Sequence, residues 1–186
     1  MALIPSTMLP LGTKAPDFRL LDTVSGDGMD LATLCSDQAT VVMFICNHCP
    51  YVLHVQEQLV ALARDYQPKG VAFIAISAND AEEYPMDAPE KMTEVAREHG
   101  YTFPYLYDET QSTARAYDAA CTPDFMIFDG GLFCVYRGRL DGASPGNDVP
   151  VTGADIRKAL DALLAGQPVD SDQKPSMGCS IKWKAD

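Results

Sequence analysis

Cys46 and Cys49 stand two residues apart in the segment Phe44-Ile45-Cys46-Asn47-His48-Cys49-Pro50. Two thiols at that spacing can close a small disulfide ring or share a metal ion. The segment falls where an apolar run ends and a helical pattern begins, which is the placement of a dithiol redox centre. The reactive species is the thiolate, and the unpaired N–H groups at a helix N-terminus lower a thiol's pKa. On that reasoning Cys46, just ahead of the helix, is the exposed low-pKa nucleophile, and Cys49, one turn in, is the more buried resolving thiol. Cys46 would attack a substrate disulfide, and Cys49 would displace the mixed disulfide that forms. His48, when protonated, would stabilise the Cys46 thiolate and make the pair more oxidising. The plain alternative for His48 is a partly exposed first-turn residue with no charge role.

The flanking elements must hold those thiols in place. Residues 40–45 are apolar throughout apart from Thr40, as in a central strand covered on both faces. Val52, Val55, Leu59, Leu62, Ala63 and Tyr66 recur at helical spacing and predict a helix over 50–66, stopped by Pro68-Lys69-Gly70. A second central strand follows at 71–77, then a loop over 79–89 with two prolines and a helix over 90–99 ended by Gly100. Residues 103–107 read as a strand and 110–119 as a short helix. Residues 124–128 and 132–136 read as a hairpin turning at Asp129-Gly130-Gly131. A last helix is expected over 152–164, with Thr152 as N-cap and Gly166 as C-cap. Upstream, a strand at 19–21 can return through Ser25-Gly26-Asp27-Gly28 as a hairpin, before a helical turn at 31–34. This order predicts an α/β architecture, a mixed sheet with helices on both faces.

A second chemical signal is Cys121-Thr122-Pro123-Asp124 at the entry to a strand. A cis bond before Pro123 would expose the backbone of Thr122 for pairing with a substrate chain. A trans proline merely starting a strand is the alternative. Cys121 is either a further redox thiol or a small buried residue, while Cys35 and Cys134 read as structural. After Gly166 the chain turns polar, yet it ends in Gly178-Cys179-Ser180-Ile181-Lys182-Trp183, with the only tryptophan. Such an end suggests a tail that folds back, with Trp183 packing and Cys179 exchanging with Cys46 or Cys49; otherwise Cys179 is an idle thiol. Cys46, His48, Cys49 and Cys179 could instead hold zinc or copper. The chain lacks the second paired ligand motif usual in structural zinc sites.

The 186 residues suit one domain, and a hydrophobic fraction of 47% with 22% charged residues is that of an ordinary globular protein. Twenty-six acidic against 14 basic residues give a net charge of −12, which repels nucleic acid and anionic membranes. No run is long enough to span a bilayer, and the first residues carry no signal-peptide pattern, so a cytoplasmic setting is expected. There the six cysteines would be free thiols except where a disulfide is transient and functional.

In order, the strand, Cys46-Asn47-His48-Cys49, the helix, Thr122-Pro123, the hairpin and the final helix resemble the thioredoxin-like superfamily. The segments Cys46-Asn47-His48-Cys49-Pro50-Tyr51-Val52 and Gly178-Cys179-Ser180-Ile181-Lys182-Trp183-Lys184 are similar to its peroxiredoxin-like, AhpC/TSA-related branch, as is the opening 12–18. The resemblance implies a thioredoxin fold over residues 1–166 with an N-terminal hairpin extension, and a tail over 167–186. It also implies a cis Pro123 and substrate contact at Thr122 and Pro123. Ile45 and Asn47-His48 replace the tryptophan and Gly-Pro of thioredoxins, and Thr40 stands where their buried acid would be, so another carboxylate or water must accept protons. In peroxiredoxins the peroxide-attacking cysteine corresponds to Cys49, but Val42 and Cys46 occupy the positions of the proline and threonine that orient peroxide. The expectation is therefore a thiol–disulfide oxidoreductase, with a thiol peroxidase or a metal-binding protein as alternatives. No organic cofactor is implied, because electrons travel through the sulfurs. The expected partners are a protein or small-molecule thiol or disulfide and a reducing partner, for a monomer or homodimer.

Overall fold

The apolar run before Cys46 forms a strand in which every residue from Ala39 to Phe44 is buried. The computed structural model describes residues 3–185. In chain order the first half comprises β1 (Leu3–Pro5), β2 (Arg19–Asp22), β3 (Gly28–Asp30), α1 (Leu31–Leu34), β4 (Ala39–Phe44), α2 (Pro50–Tyr66), β5 (Val71–Ser77) and α3 (Pro89–Glu98). Then come β6 (Tyr105–Tyr107), α4 (Ser112–Ala116), β7 (Cys121–Thr122), β8 (Asp124–Asp129), β9 (Cys134–Gly138), α5 (Ala154–Leu164) and β10 (Met177–Ser180).

A seven-stranded mixed sheet runs in the order β3-β2-β6-β5-β4-β8-β9. β4 pairs parallel with β5 and antiparallel with β8, so its backbone is satisfied on both edges. Its side chains alternate between two cores. Val41 and Met43 pack with Phe73, Phe125 and Ile127 beneath α2, α3 and α5. Val42 and Phe44 pack with Ile74, Ile76, Met126 and Phe128 on the side of α1 and α4. The β2–β3 hairpin extends the sheet through β6. Asp22 holds it there, accepting hydrogen bonds from Ser25 N at 3.1 Å and Tyr105 N at 3.1 Å. This is a thioredoxin fold with an N-terminal hairpin.

The helix that presents the dithiol starts and stops for local reasons. Pro50 occupies its first position, where the missing N–H costs nothing and the fixed φ suits a helix. The predicted stripe of Val52, Val55, Leu59, Leu62, Ala63 and Tyr66 is buried. At its far end Tyr66 Oη donates to Asp161 Oδ1 at 2.8 Å and Arg157 pairs with Asp65 at 2.7 Å, joining α2 to α5. A single 3-10 turn, Gln67–Lys69, then closes on left-handed Gly70.

Some boundaries differ from expectation. The strand expected over 103–107 begins only at Tyr105, because Pro104 has no N–H for a ladder. The short helix narrows to Ser112–Ala116. The last helix is capped by Gly153 rather than Thr152, and the Asp141 carboxylate fixes the turn before it, accepting from Thr152 N at 2.7 Å and Gly153 N at 2.6 Å.

The polar tail docks as a strand. β10 is the middle of a three-stranded sheet, β1-β10-β7, paired antiparallel on both edges. Beyond it Ile181 N bonds Ala120 O at 2.9 Å, Lys182 N bonds Asn79 Oδ1 at 2.8 Å, and Trp183 lies 4.4 Å from the Arg115 guanidinium.

Candidate active site

The loop from β4 to α2 is pinned through Asn47. Its backbone N–H donates to Asp87 Oδ1 at 2.8 Å, and its side-chain amide donates to Met86 O at 2.8 Å. Tyr105 Oη donates to Asn47 Oδ1 at 3.0 Å from below. Asp87 is fully buried at the end of a 3-10 turn, Pro85–Asp87, inside the segment expected to be plain loop. Its other oxygen accepts from Asn79 Nδ2 at 2.8 Å and lies 2.7 Å from His48 Nδ1, within ion-pair reach but off the line of a hydrogen bond. The His48 ring stacks parallel on Tyr84 at 5.8 Å. Asp87 is a buried carboxylate beside Cys46, and nothing local in the sequence marks it. Thr40 instead accepts a hydrogen bond from Ser36 N at 3.0 Å.

Both thiols are buried, Cys46 at 2% exposure and Cys49 at 0%, so the expected exposed Cys46 is corrected. The reason is that α2 begins at Pro50, making Cys49 the N-cap and leaving Cys46 in the covered loop before it. Cys46 Sγ lies 3.3 Å from Thr122 Oγ1, and Cys49 Sγ lies 3.2 Å from Thr122 O, which accepts its S–H when protonated. Cys49 Sγ also lies 2.7 Å from Cys179 Sγ.

The surroundings place the negative charge on Cys49. A hydrogen bond from Cys46 lowers the Cys49 pKa to about 4, against the effect of burial, with Cys179 and the backbone N–H of Val52 adding to it. Cys46 is raised correspondingly, first because its proton is held by Cys49, then by burial and by the Asp87 charge. This inverts the order expected from the sequence, which put the low pKa on Cys46. Cys179 is pushed up to about 12 by burial and by Cys49.

The Thr122–Pro123 bond is cis. The Thr122 backbone, expected to face a substrate, pairs with Cys179 of the chain's own tail. Cys121 is fully buried, and burial followed by the nearby Asp124 raises its pKa, which argues against a ready nucleophile there. Cys134 is buried with its pKa raised to about 11 by burial, and Cys35 is half-buried at the end of α1. A cleft of about 120 Å³ borders Pro123, Tyr51 and Met177, and no cysteine lines it.

Ligand atoms of Cys46, His48 and Asp87 all lie within 4.8 Å of one another. Thiolate, imidazole and carboxylate suit zinc. Asp87 thus takes a place in the metal set where Cys49 and Cys179 were expected. Its oxygens are already committed to Asn47 and Asn79, which leaves it less free to ligate. Among the described residues no helix is long and apolar enough to cross a membrane.

The chain is 62% identical to an uncharacterized conserved protein of Geobacillus kaustophilus, covering 100% of this chain and 98% of that one with a TM-score of 0.99. It is 46% identical to a hypothetical protein of Sinorhizobium meliloti 1021, over 98% and 99% of the two chains, at a TM-score of 0.95. The peroxidoxin BcpB of Mycobacterium tuberculosis shares the fold at 19% identity and a TM-score of 0.62, covering 83% of this chain and 96% of its own. No curated protein matches. The AhpC/TSA family model matches residues 11–136, more than half of the chain, and the protein therefore belongs to the AhpC/TSA family.

Proposed function

We propose that this redoxin is a thiol–disulfide oxidoreductase whose centre alternates between a Cys46/Cys49 dithiol and a Cys46–Cys49 disulfide. The observation that carries the reading is the convergence of two buried thiols on Thr122 at the start of α2, with Cys46 Sγ 3.3 Å from Thr122 Oγ1 and Cys49 Sγ 3.2 Å from Thr122 O. A low-pKa thiol leaves fastest in exchange. When a reducing thiolate attacks the oxidised pair at Cys46, Cys49 departs as the stabilised anion. In the reverse sense Cys46 must first lose its proton; its thiolate then attacks the substrate disulfide, releasing a substrate thiolate, and Cys49, already ionised, resolves the mixed disulfide. Asp87 and His48 lie beside Cys46 and are the groups available to take its proton. Substrates and the reducing partner are accordingly thiols and disulfides, and no organic cofactor is required.

Incubation with a small aromatic disulfide tests the assignment. The Cys49→Ser variant is expected to accumulate a mixed disulfide at Cys46, with turnover lost in both Cys49→Ser and Cys46→Ser. An adduct confined to Cys49, with turnover surviving in Cys46→Ser, would sink it.

One observation favours a second reading. Cys49 is a buried, anion-stabilised helix N-cap, and this is the position of the peroxide-attacking cysteine in peroxiredoxins. There the Cys49 thiolate would cleave the O–O bond of a peroxide, releasing an alcohol or water and leaving a sulfenic acid. Cys46 would then condense with it, releasing water and forming the disulfide. Trapping a sulfenic acid at Cys49 in Cys46→Ser after one equivalent of hydrogen peroxide, at a rate well above that of free cysteine, would promote this reading; no faster reaction would dismiss it.

A further inference from the structure

The tail strand occupies the edge where an extended substrate would lie. β10 pairs with β7 so that Cys179 stands opposite Thr122, while β1 closes its other edge with Leu3 opposite Cys179. The approach is close enough that only glycine fits at position 178, since any Cβ there would overlap the Thr122 carbonyl oxygen. Cys179 is buried at 6% exposure, and its Sγ sits 2.7 Å from Cys49 Sγ. The strand is also tied to the proton-handling side of the dithiol: Lys182 N donates to Asn79 Oδ1, and Asn79 donates to Asp87. A thiol held this way has no need to find its partner by diffusion.

We infer that β10 is an internal substrate strand and Cys179 a third redox-active residue, which exchanges with the Cys46–Cys49 disulfide to give a Cys49–Cys179 disulfide and a free Cys46 thiol. In that step a bond forms between the sulfurs of Cys179 and Cys49 as the Cys46–Cys49 bond breaks. The proton lost by Cys179 ends on Cys46, so Cys179 is oxidised, Cys46 is reduced, and no outside oxidant is consumed. Cys49 belongs to both bridges and can make only one at a time. The exchange would return Cys46 to its thiol form while the oxidising equivalent is stored beneath the tail. The inference rests on the dithiol reading for its first disulfide.

The test equilibrates the full-length wild type, Cys46→Ser and Cys179→Ser with graded glutathione buffers. Free thiols are then alkylated and disulfides mapped by mass spectrometry, with circular dichroism reporting the fold. In Cys46→Ser, residues 49 and 179 are expected to lose their alkylatable thiols together and to appear in one linked peptide. If both stay free at every potential in a folded Cys46→Ser protein, the inference is overturned. Cys179→Ser should still form the Cys46–Cys49 bridge. Absence of that bridge in a folded Cys179→Ser protein would overturn the dithiol reading, and the exchange with it, by a pattern distinct from the first. Should Cys46→Ser fail to fold, Cys46→Ala is read in the same way.

Discussion

Cys46 and Cys49 are separated by two residues and buried alike, yet they face opposite kinds of neighbour. Around Cys46 lie Asp87, His48 and the hydroxyl of Thr122, groups that carry or move protons. Around Cys49 lie two other thiols and the backbone N–H of Val52, groups that hold a thiolate or bond to sulfur. Position relative to the helix alone would rank the two sulfurs by distance from the dipole. The comparison teaches that side-chain neighbours decide the ranking. The contact between the two sulfurs comes first, burial of Cys46 and the Asp87 charge add to it on one side, and Cys179 and Val52 N–H add to it on the other, so the charge favours the second cysteine, the better leaving group.

Removing Asp87 should break this contrast with the largest effect. Asp87→Ala strands the buried N–H of Asn47 and the amide of Asn79. Each unsatisfied buried donor costs about 1–3 kcal/mol, so a total loss of roughly 2–6 kcal/mol is expected from urea unfolding. A loss below about 1 kcal/mol would show that the Cys46 flank does not depend on it. The Cys49 flank is probed by Gly178→Ala, whose methyl would meet the Thr122 carbonyl oxygen. Overpacking of this kind costs about 1–3 kcal/mol. Cys179 should then alkylate faster in the native protein, and an unchanged rate would mean that the tail strand is not held against Thr122.

The third test is the pH dependence of the reduced form. Cys49 is lowered from 9.0 to about 4, so its contribution is fully present above 9.0 and disappears as pH falls through about 4. Cys46 is raised from 9.0, so its contribution is present below 9.0 and declines as pH rises beyond it. The reduced protein should therefore gain stability from pH 4 towards 9.0 and lose it above, relative to the Cys46–Cys49 disulfide form, which has neither thiol. Parallel urea midpoints for the two forms across that window would remove the charge separation from the account.

What the sequence revealed follows the range of the contacts. β4, α2 and β5 were legible because their apolar patterns are local and strong, and α2 runs over the predicted residues. Asp87 was not, because its meaning lies in contact with Asn47, 40 positions away, and a lone aspartate between two prolines resembles a turn residue. The tail was half legible. Cys179 and Trp183 stood out from a polar stretch, but Met177-Gly178-Cys179-Ser180 has no strand pattern of its own. It becomes a strand because β1 and β7 offer it partners on both edges. The exposure of Cys46 was misjudged for a related reason, since the segment that covers the loop, Tyr84 to Asp87, is itself irregular.

The most direct test of the dithiol centre is a redox titration of the wild-type protein in graded glutathione buffers, followed by alkylation and disulfide mapping. The account predicts one reversible transition in which every oxidised molecule has Cys49 in its bridge, joined to Cys46 or to Cys179. No bridge at Cys49 at any potential, or thiols kept from alkylation by a co-purifying metal on Cys46, His48 and Asp87, would contradict it.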